Sequence, residues 1–495
     1  MYIRFLSTNM GSQVFSISVL VFCGLMFTLA FFQIPKRRFT LGIAIIIACG
    51  VLLRFYSAYD FQLNEWDESY HALVAKHLMK DFFNPVLYSN PIFDYDYRDW
   101  TANHFWLHRQ PLPLWTSALS MKLLGVNELA FRLPSLMLSL LTMIFMYRIA
   151  VDLFGREVGF LATFFFSIHS QLIELVAGRI SPDHFEVFFM FFFLAGIYCT
   201  LRYFRSYQWW WNLLVGLCIG LAYLSKETPA LFILVLWLVI AIQKRQKYGV
   251  KVVFGFCLAL IVAACVSLPW QFYAIQNFHQ EAIWETQTNF FKFFIYDKNH
   301  IQPYYFYFLN SLPKLFGTFI ALPLVWYVYH AIKRRNHPVR WLLTIWMLVP
   351  LVVYSFASTK MHSYVIVSAP AFFMVLGIFI VYMALRAQVM MFKSLAYGVI
   401  AFTIAMPVYE TVKSFNPSEF VEKNPKWVVE MKELGDRLKY QDKTVIFNVS
   451  RPIDLMFYSD CTAYNFELAP DTKSDLQKKG FIVYDSFTEA FLSIR

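Results

Sequence analysis

Long apolar stretches separated by short polar stretches dominate the chain from about residue 15 to residue 410. An α-helix rises about 1.5 Å per residue, so roughly 20 apolar residues cross the hydrocarbon core of a bilayer. Runs of about that length recur at 15–33, 39–57, 134–151, 157–175, 184–201, 211–224, 229–243 and 251–268, with three or four more before residue 410. The pattern predicts an α-helical polytopic membrane protein with about 12 spans.

The stretches between the apolar runs predict two long loops. The first, 58–112, is too long to be a mere connector. Within it, residues 68–80 have apolar side chains at helical spacing, which predicts a helix along the membrane surface. The second loop, 269–312, is rich in aromatic residues, and residues 113–124 fit either an interfacial helix or a partial span. We see neither repeated spans nor paired half-helices in the pattern.

The pattern becomes charged and mixed after residue 415. Short apolar runs at 444–447 and 481–484 predict strands, and residues 427–438 and 471–479 have helical periodicity. We therefore divide the chain into a membrane domain, 1–415, and a small α/β domain, 416–495. A domain this small is marginally stable alone, so we expect it to pack on the loops of the membrane domain.

Composition and charge fix the class and the orientation. Of 495 residues, 58% are apolar and 15% are charged, which excludes an ordinary water-soluble globule. Basic clusters at Lys36–Arg38, Arg202–Arg205, Lys244–Lys247 and Lys333–Arg335 fall between alternate spans, which predicts that those loops are cytoplasmic. The intervening loops and the C-terminal domain would then be external. The net charge of +11 is mostly an orientation signal, so no nucleic-acid partner is expected.

Two further sequence features concern processing and cross-linking. The first apolar run leads into Lys36 without a small-residue cleavage site, so we expect a retained span. Six of the seven cysteines lie in predicted spans and only Cys461 lies outside them, so the external domain should have no disulfide framework.

Adjacent carboxylates at Asp67 and Glu68 are the first candidates for chemistry, because carboxylates beside lipid are energetically expensive. Cations at the same predicted surface would bind the phosphate of an anionic lipid, and a nearby carboxylate could accept a proton from an attacking hydroxyl. Together they suit transfer of a sugar from a lipid phosphate. The ionisable residues at this surface are Asp67, Glu68, Arg109, Arg179, Asp183, Lys226, Glu227, His300, Lys360 and His362.

Ordered motifs make the resemblance to a family specific. They are Asp67-Glu68 with Tyr70, Arg109 to Trp115, Asn127-Glu128, Phe131 to Ser135, Ser225-Lys226, Pro269-Trp270, His300 before Pro303-Tyr304, and Lys360 before Tyr364 and Pro370. This order resembles the polyprenyl-phosphate-sugar glycosyltransferases of the GT-C superfold. Within them it is most similar to the branch that holds the lipid A aminoarabinose transferase and the dolichyl-phosphate-mannose protein mannosyltransferases.

The resemblance implies roles for individual residues. Asp67 would be the catalytic base or acceptor-orienting acid, with Glu68 beside it, and Asp183 resembles a second acidic position. The donor phosphate would be bound by Arg109, Lys226, Lys360, Arg179 and His300, and Tyr70, Tyr304 and Tyr364 would complete the pocket. The chain departs from the family's motifs at three positions: Arg109 replaces a lysine, Gln110 replaces a proline, and Glu227 stands where many relatives have glycine.

Simpler interpretations of these residues remain open. Asp67 and Glu68 would also suit a solvated helix N-terminus, and Arg109 and Lys360 would suit interfacial anchors. Arg179 and Asp183 could pair with each other. His104 and His108 have a metal-compatible spacing, but no glutamate of a zinc-protease motif lies between them, so we expect no metal and no cofactor.

We therefore expect an integral membrane glycosyltransferase that uses a polyprenyl-phosphate sugar donor, in the bacterial inner membrane with its active site and C-terminal domain on the periplasmic side. The resemblance implies inversion at the anomeric carbon. The acceptor could be a lipid, a glycan or a protein. The alternative is a transporter or flippase of an anionic lipid, which would also need cations but should show half-helices or repeats; a noncatalytic lipid-binding scaffold is a third.

Overall fold

Apolar helices form the membrane part of the chain, and the computed structural model describes residues 9–291, 301–333, 338–389, 393–415, 423–438 and 443–493. The first ten helices are α1 (Asn9–Phe31), α2 (Phe39–Ala58), α3 (Asp67–Leu78), α4 (Pro111–Leu124), α5 (Glu128–Phe154), α6 (Arg156–Ile168), α7 (Ser170–Val176), α8 (His184–Ser206), α9 (Trp210–Lys226) and α10 (Phe232–Tyr248). Seven more follow, α11 (Val250–Asn277), α12 (His279–Phe291), α13 (Leu312–Phe316), α14 (Ala321–Lys333), α15 (Pro338–Ser355), α16 (Ala369–Ala387) and α17 (Lys393–Ser414). Short 3₁₀ turns lie at Thr228–Leu231, Thr318–Ile320 and His362–Ser368, and a π turn at Tyr307–Ser311.

The predicted helical membrane architecture is confirmed, but the spans are less regular than the sequence suggested. Within the described ranges, seven helices are long and apolar enough to cross a bilayer, or up to nine if two bent pairs each count as one span. Two shorter apolar helices accompany them, at Thr228–Gln243 and Val339–Ser355. The predicted number of about 12 is not reached by length and hydropathy, because several apolar segments are bent or short.

The predicted span 157–175 is broken. Helices α6 and α7 meet at His169 with a bend of 56°. A break leaves the last carbonyl groups of α6 without partners in their own helix. Arg54 of α2 satisfies two of them, since its guanidinium donates to the carbonyls of Ser167 at 2.7 Å and Phe166 at 3.0 Å. The cation of Arg54 thereby stabilises the break from inside the core.

A second break faces the first. The segment Tyr307–Phe316 meets Thr318–Lys333 at 112°, around Gly317, whose φ of +78° is easy for glycine. His169 of the first break donates from Nε2 to the carbonyl of Leu315 in the second, at 2.8 Å. The expectation of no paired half-helices was therefore wrong, because apolar composition alone does not report a bend.

The predicted second loop, 269–312, contains helices where the structure describes it, and its external position stays a prediction. Helix α11 continues to Asn277, and α12 occupies His279–Phe291. Pro269 lies inside α11, and the helix continues past it although a proline removes one backbone hydrogen bond. By contrast, the helix expected at 68–80 is confirmed as α3, and its position along the membrane surface stays a prediction.

The C-terminal part contains the small α/β unit that its periodicity predicted. Its helices are α18 (Lys426–Leu438), α19 (Pro452–Tyr458), α20 (Pro470–Lys478) and α21 (Phe487–Ser493), and its strands are β1 (Thr444–Ile446), β2 (Thr462–Ala463) and β3 (Ile482–Tyr484). The strands are parallel in the order β2-β1-β3, with Val445 opposite both Thr462 and Val483.

This unit packs on the surface helix of the membrane domain. Leu73 and Ala75 of α3 share one buried apolar cluster with Leu434 and Phe457 of the C-terminal unit. Lys76 of α3 donates to the carbonyls of Met456 and Ser459 at 2.9 and 2.7 Å. The small domain therefore gains a core that it could not build alone, and α3 is held from both sides.

Candidate active site

Three turns that carry or flank predicted site residues share one unusual backbone conformation. Trp66 (φ 66°, ψ −121°) precedes Asp67, Asp183 (φ 52°, ψ −129°) precedes α8, and Glu227 (φ 57°, ψ −129°) follows Lys226. Side chains with a Cβ adopt this region at a cost of about 1–3 kcal/mol, and such residues cluster at functional sites. None of the three residues in this conformation is glycine, and each is, or directly adjoins, a predicted site residue.

Asp67 occupies the first turn of α3, where the helix dipole favours an anion. One oxygen, Oδ2, accepts a hydrogen bond from the Ser181 hydroxyl and lies 3.6 Å from Nη2 of Arg109. Burial raises the pKa of Asp67, but the charge of Arg109 and the Ser181 hydrogen bond lower it more, so the pKa lies below its ordinary value. Asp67 is therefore an ionised carboxylate that is 15% exposed.

A polar cavity of about 670 Å³ lies beside this carboxylate, because Ser181 also lines the cavity. Its wall is built from the two broken spans, with Ser170, Gln171 and Glu174 from α7 and Lys314 and Leu315 from α13. Its ionisable side chains are Glu174, Lys314, Lys360, His362, Glu410 and Lys413. The bends thus open space for a polar ligand at the level of Asp67.

An apolar cavity of about 360 Å³ lies on another side of the same segment. Phe308 and Leu312 line it together with α14 and α15, whereas Phe306, Lys314 and Leu315 line the polar cavity. The stretch 306–315 therefore separates an apolar space among membrane helices from a polar space at their end. A molecule with an apolar chain and an anionic head would match the two environments.

Glu68 is enclosed by the core, and its surroundings argue against the catalytic role expected for it. Its side chain is completely buried, and Arg132 engages both carboxylate oxygens, at 2.6 and 2.9 Å. The backbone N–H and side-chain amide of Asn64 each donate to Glu68 at 2.7 Å, and His184 lies 3.3 Å away. Burial raises the pKa of Glu68, but Arg132 and His184 lower it well below its usual range. Glu68 is a structural anchor.

Arg179 and Asp183 do not pair with each other. Arg179 engages Asp60, with its Nε and Nη2 both within 3.2 Å of the carboxylate, and Lys423 from the C-terminal part lies 2.6 Å from the same carboxylate. Asp183 is fully buried and contacts Nδ1 of His71 at 2.7 Å. Arg179 is thus already bound to a carboxylate within the protein, which argues against its expected role in phosphate binding.

The two candidate lysines have different surroundings. Lys226 forms an ion pair with Glu186, which lies in the first turn of α8. Its ammonium lies over the rings of Phe189 and Tyr364, at 5.6 and 5.4 Å. Lys360 lines the polar cavity, donates to the carbonyl of Ala357 and lies 5.5 Å from the Tyr304 ring centre. Burial lowers the pKa of Lys360. Lys360 is the better placed of the two to meet a ligand in the cavity.

The aromatic candidates are spread around the site. Tyr304 is exposed, Tyr364 packs near Lys226 and Tyr354, and Tyr70 packs against Trp100 with ring centres 5.0 Å apart. Burial raises the pKa of Tyr70 to about 12, so its hydroxyl stays protonated at neutral pH. His300 lies outside the described residues, and its expected role stays a prediction.

The described residues contain no group of three or more His, Cys, Asp or Glu side chains arranged for a metal ion. His104 and His108, whose spacing allowed a metal site, face different partners. His104 contacts the carbonyl of Tyr88, whereas His108 lies 3.3 Å from Glu285 and stacks on Trp100.

Sequence reasoning missed several residues that build the site. Ser181 carries no family signal that we recognised, and Lys314 and Lys413 lie far along the chain from Asp67. Two others did carry a signal: Arg132 and Glu186 are charges within apolar segments, and such residues are rarely without a partner. Each of these charges therefore requires an opposite charge nearby, although the sequence does not show which residue supplies it.

Comparison with solved structures identifies the fold class. The chain has the GT-C fold, which confirms that part of the resemblance. ArnT from Cupriavidus metallidurans, solved bound to undecaprenyl phosphate, superposes with a TM-score of 0.60 at 13% identity over 90% of this chain and 89% of that chain. The archaeal oligosaccharyltransferase AglB from Archaeoglobus fulgidus, in complex with an inhibitory peptide and a dolichol-phosphate, gives 0.59 at 12% identity over 85% and 64%.

Sequence comparisons indicate the same branch. Residues 108–270 match the family described as dolichyl-phosphate-mannose-protein mannosyltransferase. The undecaprenyl phosphate-alpha-4-amino-4-deoxy-L-arabinose arabinosyl transferase of Photorhabdus laumondii is 23% identical over 350 residues, which cover 65% of this chain and 59% of that protein. The chain thus spans less than two thirds of this curated relative. The predicted likeness to the aminoarabinose transferase and protein mannosyltransferase branch is confirmed.

Proposed function

We propose that the protein is an integral membrane glycosyltransferase that transfers a sugar from a polyprenyl-phosphate donor to an acceptor at the membrane surface. The observation that carries the proposal is Asp67, an ionised, half-buried carboxylate between Arg109 and Ser181 beside a polar cavity. The relatives named above, which act on or bind polyprenyl phosphates, support the donor class. They also support a bacterial inner membrane location, with the site on the periplasmic side as the charge pattern predicts.

The donor would place its two ends in the two cavities. Its apolar chain would lie among α14 and α15, and its phosphate would enter the polar cavity near Lys360 and Lys314. Arg109 reaches the edge of this cavity, since it and Ser181 contact the same oxygen of Asp67. The buried Nε of Arg109 has no hydrogen-bond partner within the described structure, so it retains a donor for a ligand.

In the reaction, the acceptor oxygen would attack the anomeric carbon while the bond from that carbon to the lipid-phosphate oxygen breaks. Asp67 would orient the acceptor and take its proton if it is a hydroxyl. Negative charge develops on the departing phosphate, and fixed cations at Arg109 and Lys360 would stabilise it. Attack from the face opposite the leaving phosphate inverts the anomeric carbon.

The test is single-turnover transfer from a panel of radiolabelled polyprenyl-phosphate sugars, in proteoliposomes to which membrane extract supplies acceptors. Wild type should move label to an acceptor, and Asp67→Asn should lower the rate at least about 100-fold, as expected for loss of a general base. The matched control is Asp94→Asn, which removes an exposed carboxylate from the same loop. Wild-type turnover by folded Asp67→Asn protein would contradict the role of Asp67.

A transporter or flippase is the second candidate, because the two facing broken spans are a feature of transporters. A flippase and a glycosyltransferase differ in whether the labelled sugar stays attached to its lipid. Label that crosses the bilayer while it stays attached to its lipid would support the flippase and exclude the glycosyltransferase as the main activity.

A further inference from the structure

Three polar side chains from three elements form a continuous hydrogen-bonded row next to Arg109. Gln271 of α11 donates from Nε2 to Oε1 of Gln110 at 2.8 Å. Gln110 in turn donates from its own Nε2 to Oε1 of Glu227 at 2.8 Å. Gln110 directly follows Arg109 and precedes the first residue of α4, and it is 9% exposed. The row therefore ties the backbone that carries Arg109 to the ends of α9 and α11.

Two members of this row are the positions at which the chain departs from the motifs of the family it resembles. By that resemblance, Gln110 stands where the motif has a proline, and Glu227 stands where many relatives have a glycine. The backbone retains the conformations that those residues favour. Gln110 has φ −70° and ψ 152°, which a proline adopts, and Glu227 has a φ of 57°, which glycine adopts with least strain.

The direct contact between the two unusual residues indicates that one compensates for the other. A proline at position 110 would fix the backbone φ angle by its ring. A glutamine restricts the backbone there only if hydrogen bonds fix its side-chain amide. Glu227 and Gln271 fix this amide, since Glu227 accepts from its nitrogen and Gln271 donates to its oxygen. The backbone strain at Glu227 is then the cost of placing a carboxylate within reach of Gln110.

We propose that Glu227, Gln110 and Gln271 are positioning residues that fix Arg109 for binding of the donor phosphate. The proposal rests on the proposed function, since it assigns Arg109 to that phosphate. It concerns residues that act through Arg109 and take no part in the bond changes. It also names the donor's anionic head, and not the acceptor, as the ligand whose affinity depends on this row.

The experiment is a double-mutant cycle in the full-length protein with Gln110→Pro, Glu227→Gly and both together. Each single change leaves one partner of the Gln110–Glu227 hydrogen bond unsatisfied, and the double change removes both partners in residue types that fit the backbone. Gln271 loses its acceptor whenever Gln110 is replaced, so this loss is common to the Gln110→Pro variant and the double variant. We expect either single variant to raise the Kd for undecaprenyl phosphate about tenfold and the double variant to return within about threefold of wild type. Native mass spectrometry measures this Kd without any turnover.

Kinetics and a matched variant separate positioning from folding. In transfer assays the single variants should raise KM for the donor while kcat changes little, unlike Asp67→Asn, which should lower kcat. Glu227→Gln keeps the side-chain volume and an acceptor oxygen for Gln110, so it should bind the lipid almost as wild type does. Thermal unfolding of each variant provides the folding control.

The outcomes distinguish this inference from the proposed function. Additive single effects in the cycle, or an unchanged donor KM, would overturn the positioning role even if wild type transfers sugar. Coupled effects on lipid binding without any sugar transfer by wild type would support the row and contradict the enzyme. If wild type binds no polyprenyl phosphate, both proposals fail.

Discussion

At the scale of single residues, two adjacent carboxylates have opposite environments. Consecutive positions on a helix point about 100° apart, so one side chain can face a cavity while the next faces the core. Asp67 contacts Ser181 at the polar cavity, whereas Glu68 is enclosed by Arg132, Asn64 and His184. The same acidic pair thus supplies one candidate for chemistry and one anchor for the fold.

Replacement of Glu68 by glutamine should therefore reduce stability. The change removes the carboxylate that directly pairs with the fully buried guanidinium of Arg132, and breaking a buried pair in this way costs about 3–5 kcal/mol. We expect Glu68→Gln to unfold at a clearly lower temperature than wild type in detergent, whereas Asp67→Asn should unfold near the wild-type temperature. A Glu68→Gln protein with wild-type stability and no transfer would instead return Glu68 to the catalytic residues.

Asp67 and Glu68 also show what the sequence could predict at this scale. Both were recognised as unusual because carboxylates beside lipid are costly, and Asp67 was separated from Glu68 only by motif position. The partner of Glu68 is Arg132, 64 positions away, and a sequence pattern does not report contacts over that separation. The cationic wall of the cavity was missed for the same reason, since Lys314 and Lys413 come from helices remote in the chain.

At the scale of elements, long helices were predicted well and their interruptions were not. The stretch 157–175 is apolar throughout, so its hydropathy is that of one span. The bend at His169 is stabilised by Arg54, which donates to carbonyls that the break frees. In the C-terminal unit, short apolar runs alternate with charged helices, and there the predicted strands and helices agree with the observed ones within a few residues.

The turn that begins α3 gives a testable prediction about stability. Trp66 is 67% exposed and has a φ of 66°, a conformation that glycine adopts without strain. Trp66→Gly should therefore keep or raise the unfolding temperature, because relief of about 1 kcal/mol of backbone strain offsets the loss of an exposed side chain. Trp66→Val should lower it, since a β-branched residue is disfavoured at positive φ. A lower unfolding temperature for the glycine variant than for the valine variant would show that the conformation carries no strain.

At the scale of the whole molecule, the C-terminal unit and the membrane domain share the element that carries Asp67. Polar contacts join them at several points around α3. Tyr458 donates to Glu128 at 2.7 Å, Lys432 lies 2.7 Å from the same carboxylate, and Ser69 donates to Asp454 at 3.3 Å. Since Ser69 and Asp67 belong to the same first turns of α3, loosening of this interface should also loosen the candidate active site.

Asp454 makes that interface dependent on pH. Burial raises the pKa of Asp454 to about 6, although Arg451 at 3.1 Å and the Ser69 hydroxyl oppose the shift, and Glu65 adds to it. A carboxyl group with a higher pKa in the folded than in the unfolded chain contributes stability that is complete below about pH 4 and is lost as the pH rises through about 6. Ionisation of Asp454 at neutral pH therefore weakens the contact between the C-terminal unit and α3.

Asp454→Asn should remove this effect. Asparagine keeps an oxygen for the Ser69 hydroxyl and cannot ionise, so the variant should protect α19 and α3 from hydrogen exchange more than wild type does at pH 7.5, and equally at pH 4.5 or below. Comparison at the same pH cancels the intrinsic rate of exchange, and the other carboxylates are common to both proteins. Equal protection at pH 7.5 would mean that the ion pair with Arg451 outweighs burial and that Asp454 is ionised at no cost to the interface.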